Sequence, residues 1–153
     1  MDDATKIVVT ASLTVSGGVI VLVLGQLLGK FVIDPLHEVK KVLGEIRFAL
    51  LFHAQAIMTP VGDHESEDKA GEVLRRLASE LHSRVGAVPF YDIWSAISKG
   101  FFPSKTSALD AAKRLMGLSN SMRQEGRSDK NAARVSRIEK LLGFEPWEQE
   151  SAV

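Results

Sequence analysis

The chain has 153 residues, with 19 Lys and Arg against 19 Asp and Glu, so no net charge draws it toward nucleic acid or an acidic surface. It contains no cysteine, which excludes disulfides, thiol catalysis and thiolate metal sites. Hydrophobic residues make up 45% of the chain but are unevenly distributed, because the 23 residues from Ile7 to Gly29 carry no charge.

This uncharged run, extended by Lys30 and an apolar turn, predicts a transmembrane helix over residues 7–33 after a short external N-terminus of residues 1–6. Twenty-three helical residues span about 34 Å, which covers a hydrocarbon core of about 30 Å. A buried core helix is the alternative, although such helices rarely hold more than about 14 apolar residues in succession. A cleaved signal peptide is disfavoured because the preceding residues are acidic and no small-residue cleavage site follows.

Basic residues on the two flanks predict the orientation. One basic residue, Lys6, precedes the run. Four follow it within about 20 residues, the range over which loop charge acts: Lys30, Lys40, Lys41 and Arg47. The positive-inside bias therefore places the C-terminal part in the cytoplasm.

Small residues recur along the run at spacings that favour contact with a second helix. The predicted oligomer contact consists of Gly18, Gly25, Gln26 and Gly29. Glycines four residues apart let two helix backbones approach closely, and the glutamine can hydrogen-bond across such an interface. The alternative is that glycine is simply common in membrane helices. We expect a homo-oligomer.

The dipeptide Asp34-Pro35 predicts an N-cap, with Asp34 as the cap, and a juxtamembrane amphipathic helix over residues 34–58. Apolar positions alternate by three and four along it, interrupted at His53. The second half is apolar on nearly every side, so it must be buried within the domain or against another copy. We expect His53 to be a neutral histidine bonded to a partner helix, with a ligand or a proton sensor as the alternative.

Residues 59–143 are predicted to form a cytoplasmic helical domain, followed by an acidic tail over 144–153. The predicted helices occupy residues 66–85, 90–98, 107–122 and 129–142. Ser107 and Asp110 are spaced as a capping pair for the third of these, and Gly143 is a typical stop for the last. No strand pattern is found, so the predicted fold class is all-α, with one N-terminal transmembrane helix followed by a small cytoplasmic helical bundle.

Basic residues are concentrated in the last third, with ten between residues 99 and 140 against four acidic residues. The predicted anion- or partner-binding residues lie three or four apart on the last helix: Arg127, Lys130, Arg134 and Arg137. Such a stripe suits anionic lipid headgroups, nucleotide or RNA phosphates, or a protein partner. The alternative is an ordinary solvated helix face.

Five of the ten aromatic residues fall between residues 90 and 102. One interpretation is core packing. The other is an interfacial segment that enters the lipid headgroups, where Trp and Tyr are enriched.

Known catalytic patterns are missing from the sequence. The four histidines lack metal-site spacing, and there is neither a glycine-rich phosphate loop nor a Gly-x-Ser-x-Gly turn. We therefore expect no enzyme, no cofactor and no metal site.

Four segments resemble a group of small bacterial membrane proteins that have one N-terminal span and a compact helical cytosolic domain. These segments are Asp34-Pro35, residues 36–57, Val88-Pro89-Phe90-Tyr91 and Gly117-Leu118-Ser119-Asn120-Ser121. The resemblance covers most of residues 34–143. It implies the same architecture in a bacterial inner membrane, and it implies no activity and no functional residue.

The main hypothesis is a non-enzymatic, single-pass inner-membrane protein that self-associates and presents a cytoplasmic interaction domain. The alternative is a membrane-disrupting effector of a bacterial defence or stress system, triggered at the cytosolic domain by a phosphate-bearing ligand or a protein partner. A further class is an enzyme that holds a phosphorylated substrate through the basic helix.

Overall fold

The computed structural model describes residues 2–59, 64–98, 100–122 and 128–145. Of these residues 88% are helical, and none of them forms a strand, which confirms the all-α prediction. The helices are α1 (Asp3–Leu28), a π-helical segment (Gly29–Ile33), α2 (Asp34–Phe52), α3 (Ala54–Met58), α4 (His64–Ala87), α5 (Tyr91–Ile97), α6 (Lys105–Ser121) and α7 (Ser128–Leu142).

One helix of 50 residues runs without a break from Asp3 to Phe52, through α1, the π segment and α2. The prediction that Asp34 is an N-cap is wrong, because its backbone is helical (φ −60°, ψ −49°). Pro35 lacks an N–H, and its ring crowds the carbonyl four residues earlier, which ordinarily ends or kinks a helix. Here the Asp34 N–H donates to the carbonyl of Gly29, five residues back, and this wider π turn carries the chain past the proline.

The predicted helix over 34–58 is interrupted at His53, whose φ of −97° and ψ of 15° are not helical. The bend brings the short α3 against α7 and buries Ile57 completely.

The remaining long helices form an antiparallel bundle with α2. Helix α4 packs on α2 and α6, and α6 packs on α7. Gly71 permits the close approach of α4 to α6, since a Cβ there would lie 3.4 Å from the Ser119 carbonyl oxygen. The core is formed mainly by aliphatic side chains that are almost completely buried: Val39, Leu43, Ile46, Leu74, Leu77, Leu81, Leu115, Leu118 and Ile138.

Two contacts define the end of the bundle at which α1 joins, here called the proximal end. Arg84, in the last turn of α4, pairs with Glu38 of α2 at 3.6 Å. The Nζ of Lys40 donates to the Phe101 carbonyl at 3.3 Å. At the opposite, distal end, Arg75 of α4 donates to Asn120 of α6 at 3.3 Å.

The capping predictions had mixed outcomes. Helix α6 begins after Ser104, whose Oγ accepts the Ser107 N–H at 3.1 Å, so Ser107 is not the cap. Asp110 instead pairs with Arg114, four residues on, at 3.0 Å. The stop at Gly143 is confirmed: its φ is +69°, and the next N–H, that of Phe144, donates to the Glu139 carbonyl at 2.9 Å.

Candidate functional site

Helix α1 presents its whole circumference to the surroundings, and none of its side chains is buried. The Ser12 hydroxyl donates to the Val8 carbonyl at 2.8 Å, and the Thr14 hydroxyl to the Thr10 carbonyl at 2.9 Å, so these two hydroxyl groups are satisfied within the helix. The helix is long and apolar enough to cross a membrane. Its full exposure argues against the alternative of a core helix within this chain.

The predicted oligomer contact lies on this exposed helix and its junction with the π segment. No heavy atom lies within 4 Å of a Cβ placed at Gly18, Gly25 or Gly29, and Gln26 is exposed. No other part of the chain that the structure describes occupies this surface, so a second helix could approach it.

A second apolar surface, missed at the level of sequence, lies on the outer side of α2. Phe48 and Phe52, one turn apart, are 65% and 70% exposed, and their rings stack at 5.4 Å between centroids. Gly44, one turn before Phe48, has open space around its Cα. This half of the helix was predicted to be buried within the domain or against another copy, and the bundle leaves these two rings uncovered.

His53 lies half-buried at the break between α2 and α3, with its ring edge-on to Phe52 at 5.0 Å. Burial lowers the pKa of His53 below the ordinary value of 6.5. The low pKa agrees with the expectation of a neutral imidazole. The residue borders a surface cavity of about 340 Å³ whose other lining residues include Phe52, Ala56 and Lys69.

An apolar groove of about 520 Å³ is lined by residues of α2, α3 and α7. Its lining residues include Leu50, Leu51, Met58 and Val135. Glu139 borders the groove, and burial raises the pKa of its carboxyl group while the Arg47 guanidinium partly opposes that rise.

The predicted basic stripe is only partly available to a ligand. Lys130 and Arg137 are exposed on α7. Arg134 is half-buried, and its Nη1 donates to the Gly117 carbonyl of α6 at 3.4 Å, so it contributes to helix packing. Arg127 lies outside the described residues. The structure therefore leaves two exposed cations of the stripe among the residues that it describes.

The aromatic segment divides into two faces. Tyr91 is buried, and its hydroxyl donates to the Pro103 carbonyl at 3.1 Å. Burial is the main cause, and the nearby Asp92 charge the smaller one, of a rise in the pKa of this phenol to about 12. The half-buried Trp94 donates its indole N–H to the Pro89 carbonyl at 3.2 Å. The outer face consists of Phe90, Ile93, Ile97 and Phe101, which are 77%, 55%, 65% and 60% exposed.

Comparison of the chain with protein-family models, with curated proteins and with solved structures finds no match. The resemblance to small bacterial membrane proteins therefore stays a prediction. Among the residues that the structure describes, no three His, Asp or Glu side chains are grouped to hold a metal ion. The fold and surfaces define an all-helical protein in which one long, exposed apolar helix continues directly into a small bundle.

Proposed function

We propose that the protein is a non-enzymatic, single-pass membrane protein that self-associates and presents its helical bundle in the cytoplasm as an interaction domain. The observation that carries the proposal is the complete exposure of an apolar helix that the bundle does not cover.

Helix α1 alone makes a bilayer energetically favourable. Thirteen large aliphatic side chains between Ile7 and Leu28 are 45–70% exposed. Full burial of such a side chain is worth about 1.5–3 kcal/mol relative to full exposure, so at this partial exposure the helix in water forgoes on the order of 10–20 kcal/mol. That matches or exceeds the net stability of an ordinary domain, about 5–15 kcal/mol. A hydrocarbon layer removes this cost, and every backbone amide inside it is satisfied by the helix itself.

Self-association is supported by two surfaces on the same continuous helix. In the lipid-exposed part, the open positions at Gly25 and Gly29 permit close helix approach. In the water-exposed part, the stacked Phe48 and Phe52 rings form an apolar face that a second copy of α2 would cover. Both surfaces belong to one continuous helix.

The orientation follows from charge. Lys30, Lys40, Lys41 and Arg47 all follow α1 on the continuous helix, whereas Lys6, which precedes most of it, pairs with Asp3 at 3.2 Å. The positive-inside bias supports a cytoplasmic bundle. The bacterial inner membrane is supported by the resemblance alone.

A topology experiment tests the proposal. A reporter that is active only in the cytoplasm should be active when fused after Val153 and inactive when fused before Met1. The membrane fraction should retain the fusion after carbonate extraction, and the detergent-purified chain should have a mass of two or more copies. A reporter pattern of the opposite sign would refute the orientation, and release by carbonate would refute the span.

A further inference from the structure

The outer face of α5, with the residue before it and the turn after it, forms an exposed apolar ridge, defined here as Phe90, Ile93, Ile97 and Phe101. Ile93 and Ile97 are four residues apart and share one side of α5, and Phe90 directly precedes the helix. The opposite side of α5 faces the bundle, because Tyr91 belongs to the buried core and Trp94 packs against it. Their polar groups donate to the Pro103 and Pro89 carbonyls in the loops that flank α5. Because Tyr91 and Trp94 face inward, the ridge faces outward, away from the core.

The ridge lies at the proximal end of the bundle, close in height to the end of the apolar helix. The Nζ of Lys40 lies 3.7 Å from the centroid of the Phe101 ring as well as within bonding distance of its carbonyl. Lys40 follows Ile33 by seven residues, which corresponds to about 10 Å along a helix. A helical side chain also leans toward the N-terminus, so the ammonium group is lower than its own Cα.

An independent contact places Phe90 near the same end of the bundle. Arg84, in the last turn of α4, is paired with Glu38 in the second turn of α2. Helix α4 continues toward the proximal end as far as Ala87, and Phe90 follows Ala87 by three residues. The headgroup layer extends about 5–8 Å beyond each side of the hydrocarbon core, as the difference between total and core bilayer thickness gives. The ridge thus falls near this layer once α1 spans the bilayer.

We infer that the apolar ridge is a second membrane contact, which lies in the headgroup region of the cytoplasmic leaflet beside the emerging helix. This inference rests on the proposed function, since a spanning α1 sets the height of the ridge. Aromatic and aliphatic side chains on a polar scaffold suit the boundary between headgroups and acyl chains. The Lys40 ammonium beside Phe101 and the neighbouring exposed Lys41 are placed to meet lipid phosphates.

The bundle is then attached to the bilayer at two places, α1 and the ridge, instead of at α1 alone. With α1 as the single attachment, nothing would fix which outer face of the bundle is directed toward the lipid. With the ridge in the headgroups, α5 faces the lipid, and the start of α7, where the distal Asn131 lies, is directed toward the cytoplasm.

The absence of native cysteine permits a direct depth measurement on the full chain. Single-cysteine variants Ile97→Cys and, independently, Ile93→Cys carry a nitroxide spin label on the ridge. Ala133→Cys, on an exposed position of α7, is the water control, and Val21→Cys, in the middle of α1, is the insertion control. The protein is reconstituted in vesicles of phosphatidylcholine and phosphatidylglycerol, and each label is measured for collision with oxygen, which prefers lipid, and with a water-soluble nickel chelate.

We expect the Val21 label to favour oxygen strongly, the Ala133 label to favour nickel, and both ridge labels to lie between them at headgroup depth. Ridge labels that match Ala133 while Val21 is deep would overturn the inference and leave the proposed function standing. A Val21 label that favours nickel would overturn the proposed function and the inference together. Suppose that neither reagent reaches the ridge labels and that their spectra are broadened by a neighbouring spin label. A second copy would then cover the ridge, which also overturns the inference.

Discussion

The side-chain amide of Asn131, at the start of α7, donates to the main-chain carbonyl of Ile57 in the last turn of α3, 3.1 Å away. Asn131 is 1% exposed, and its Oδ1 lies 3.0 Å from the hydroxyl of the buried Ser121. One buried amide thereby joins α3, α6 and α7. Carbonyls in the last turn of a helix have no intrahelical partner, so Asn131 acts as a side-chain cap for α3.

We predict that Asn131→Ala lowers the free energy of unfolding by about 1–3 kcal/mol, because it leaves a buried carbonyl without this partner. The measurement is denaturant unfolding in detergent followed by circular dichroism. The control is Asn120→Ala, since the exposed Asn120 accepts one hydrogen bond from Arg75 at the surface. This control should change the free energy by less than about 0.5 kcal/mol. Equal effects of the two substitutions would contradict the role of Asn131.

Self-association gives the second prediction. Replacing Gly25 and Gly29 together with Ile should weaken the oligomer by about 1–3 kcal/mol, since branched side chains separate backbones that glycine allows to touch. Gly17→Ile adds comparable bulk at an open position outside the predicted contact and should change the affinity little. Sedimentation equilibrium in detergent measures both.

The cytoplasmic part of the same interface is tested separately. Phe48→Ser with Phe52→Ser removes the stacked rings without touching the core, because both side chains are exposed. We expect a weaker oligomer with an unchanged unfolding transition of the bundle. An unchanged oligomer mass in both the glycine and the phenylalanine variants would place the interface elsewhere or exclude one.

The basic stripe yields a prediction that separates its members. Arg134→Gln should lower the free energy of unfolding by about 0.5–1.5 kcal/mol, because its guanidinium bonds to the Gly117 carbonyl of α6. Arg137→Gln should cost less than about 0.5 kcal/mol, because the side chain is exposed. Equal losses would contradict the structural role of Arg134.

The same stripe decides between the proposed function and the effector alternative. Under the proposed function, overexpression of the wild-type chain leaves the membrane potential of cells unchanged, as does the variant in which Arg127, Arg134 and Arg137 are replaced by Gln. A voltage-sensitive dye reports the potential. Depolarisation by the wild type that the variant loses while it stays folded and inserted would favour a triggered effector. The stability of Arg134→Gln is therefore a necessary control for that comparison.

His53 gives a pH prediction. Burial lowers the pKa of this imidazole below 6.5 in the folded state, so the unfolded chain binds its proton more readily. The stability that depends on a neutral His53 is thus present above pH 6.5 and is lost as the pH falls through 6.5 toward the lower folded pKa. NMR titration of the imidazole resonances in detergent should place the His53 midpoint below 6.5, with His53→Gln providing the assignment. A midpoint at or above 6.5 would contradict the prediction.

The sequence predicted the helices well and their junctions poorly. Apolar periodicity and the position of Gly143 identified α4, α6 and α7 to within a few residues, because these features act within one helix. Asp34-Pro35 was misread because a π turn is set by how the chain compensates for a proline, which the dipeptide alone does not specify. Ser107 was predicted as the cap because Asp110 follows it at the spacing of a capping pair, whereas the actual cap, Ser104, has no acidic residue three positions later.

The candidate surfaces depend on tertiary contacts, and so they were less predictable. The outward position of Phe48 and Phe52 follows from which side of α2 meets α4, and nothing in the local pattern of an all-round apolar helix indicates that side. The tie between Asn131 and Ile57 joins residues 74 positions apart. Arg134 and Arg137 look equivalent in the sequence, and only the proximity of α6 distinguishes them.

The helix that continues from Asp3 to Phe52 makes the first third of the chain one rigid element. A flexible linker would leave the orientation of the bundle independent of the tilt of α1. A continuous rigid helix instead transmits that tilt to the bundle. Helix α2 has 19 residues, a length of about 28 Å, so a change of about 20° in tilt would displace its far end by about 10 Å. A change in bilayer thickness changes the tilt of α1. That change in tilt would then move the break at His53, and the helices that pack around it, sideways.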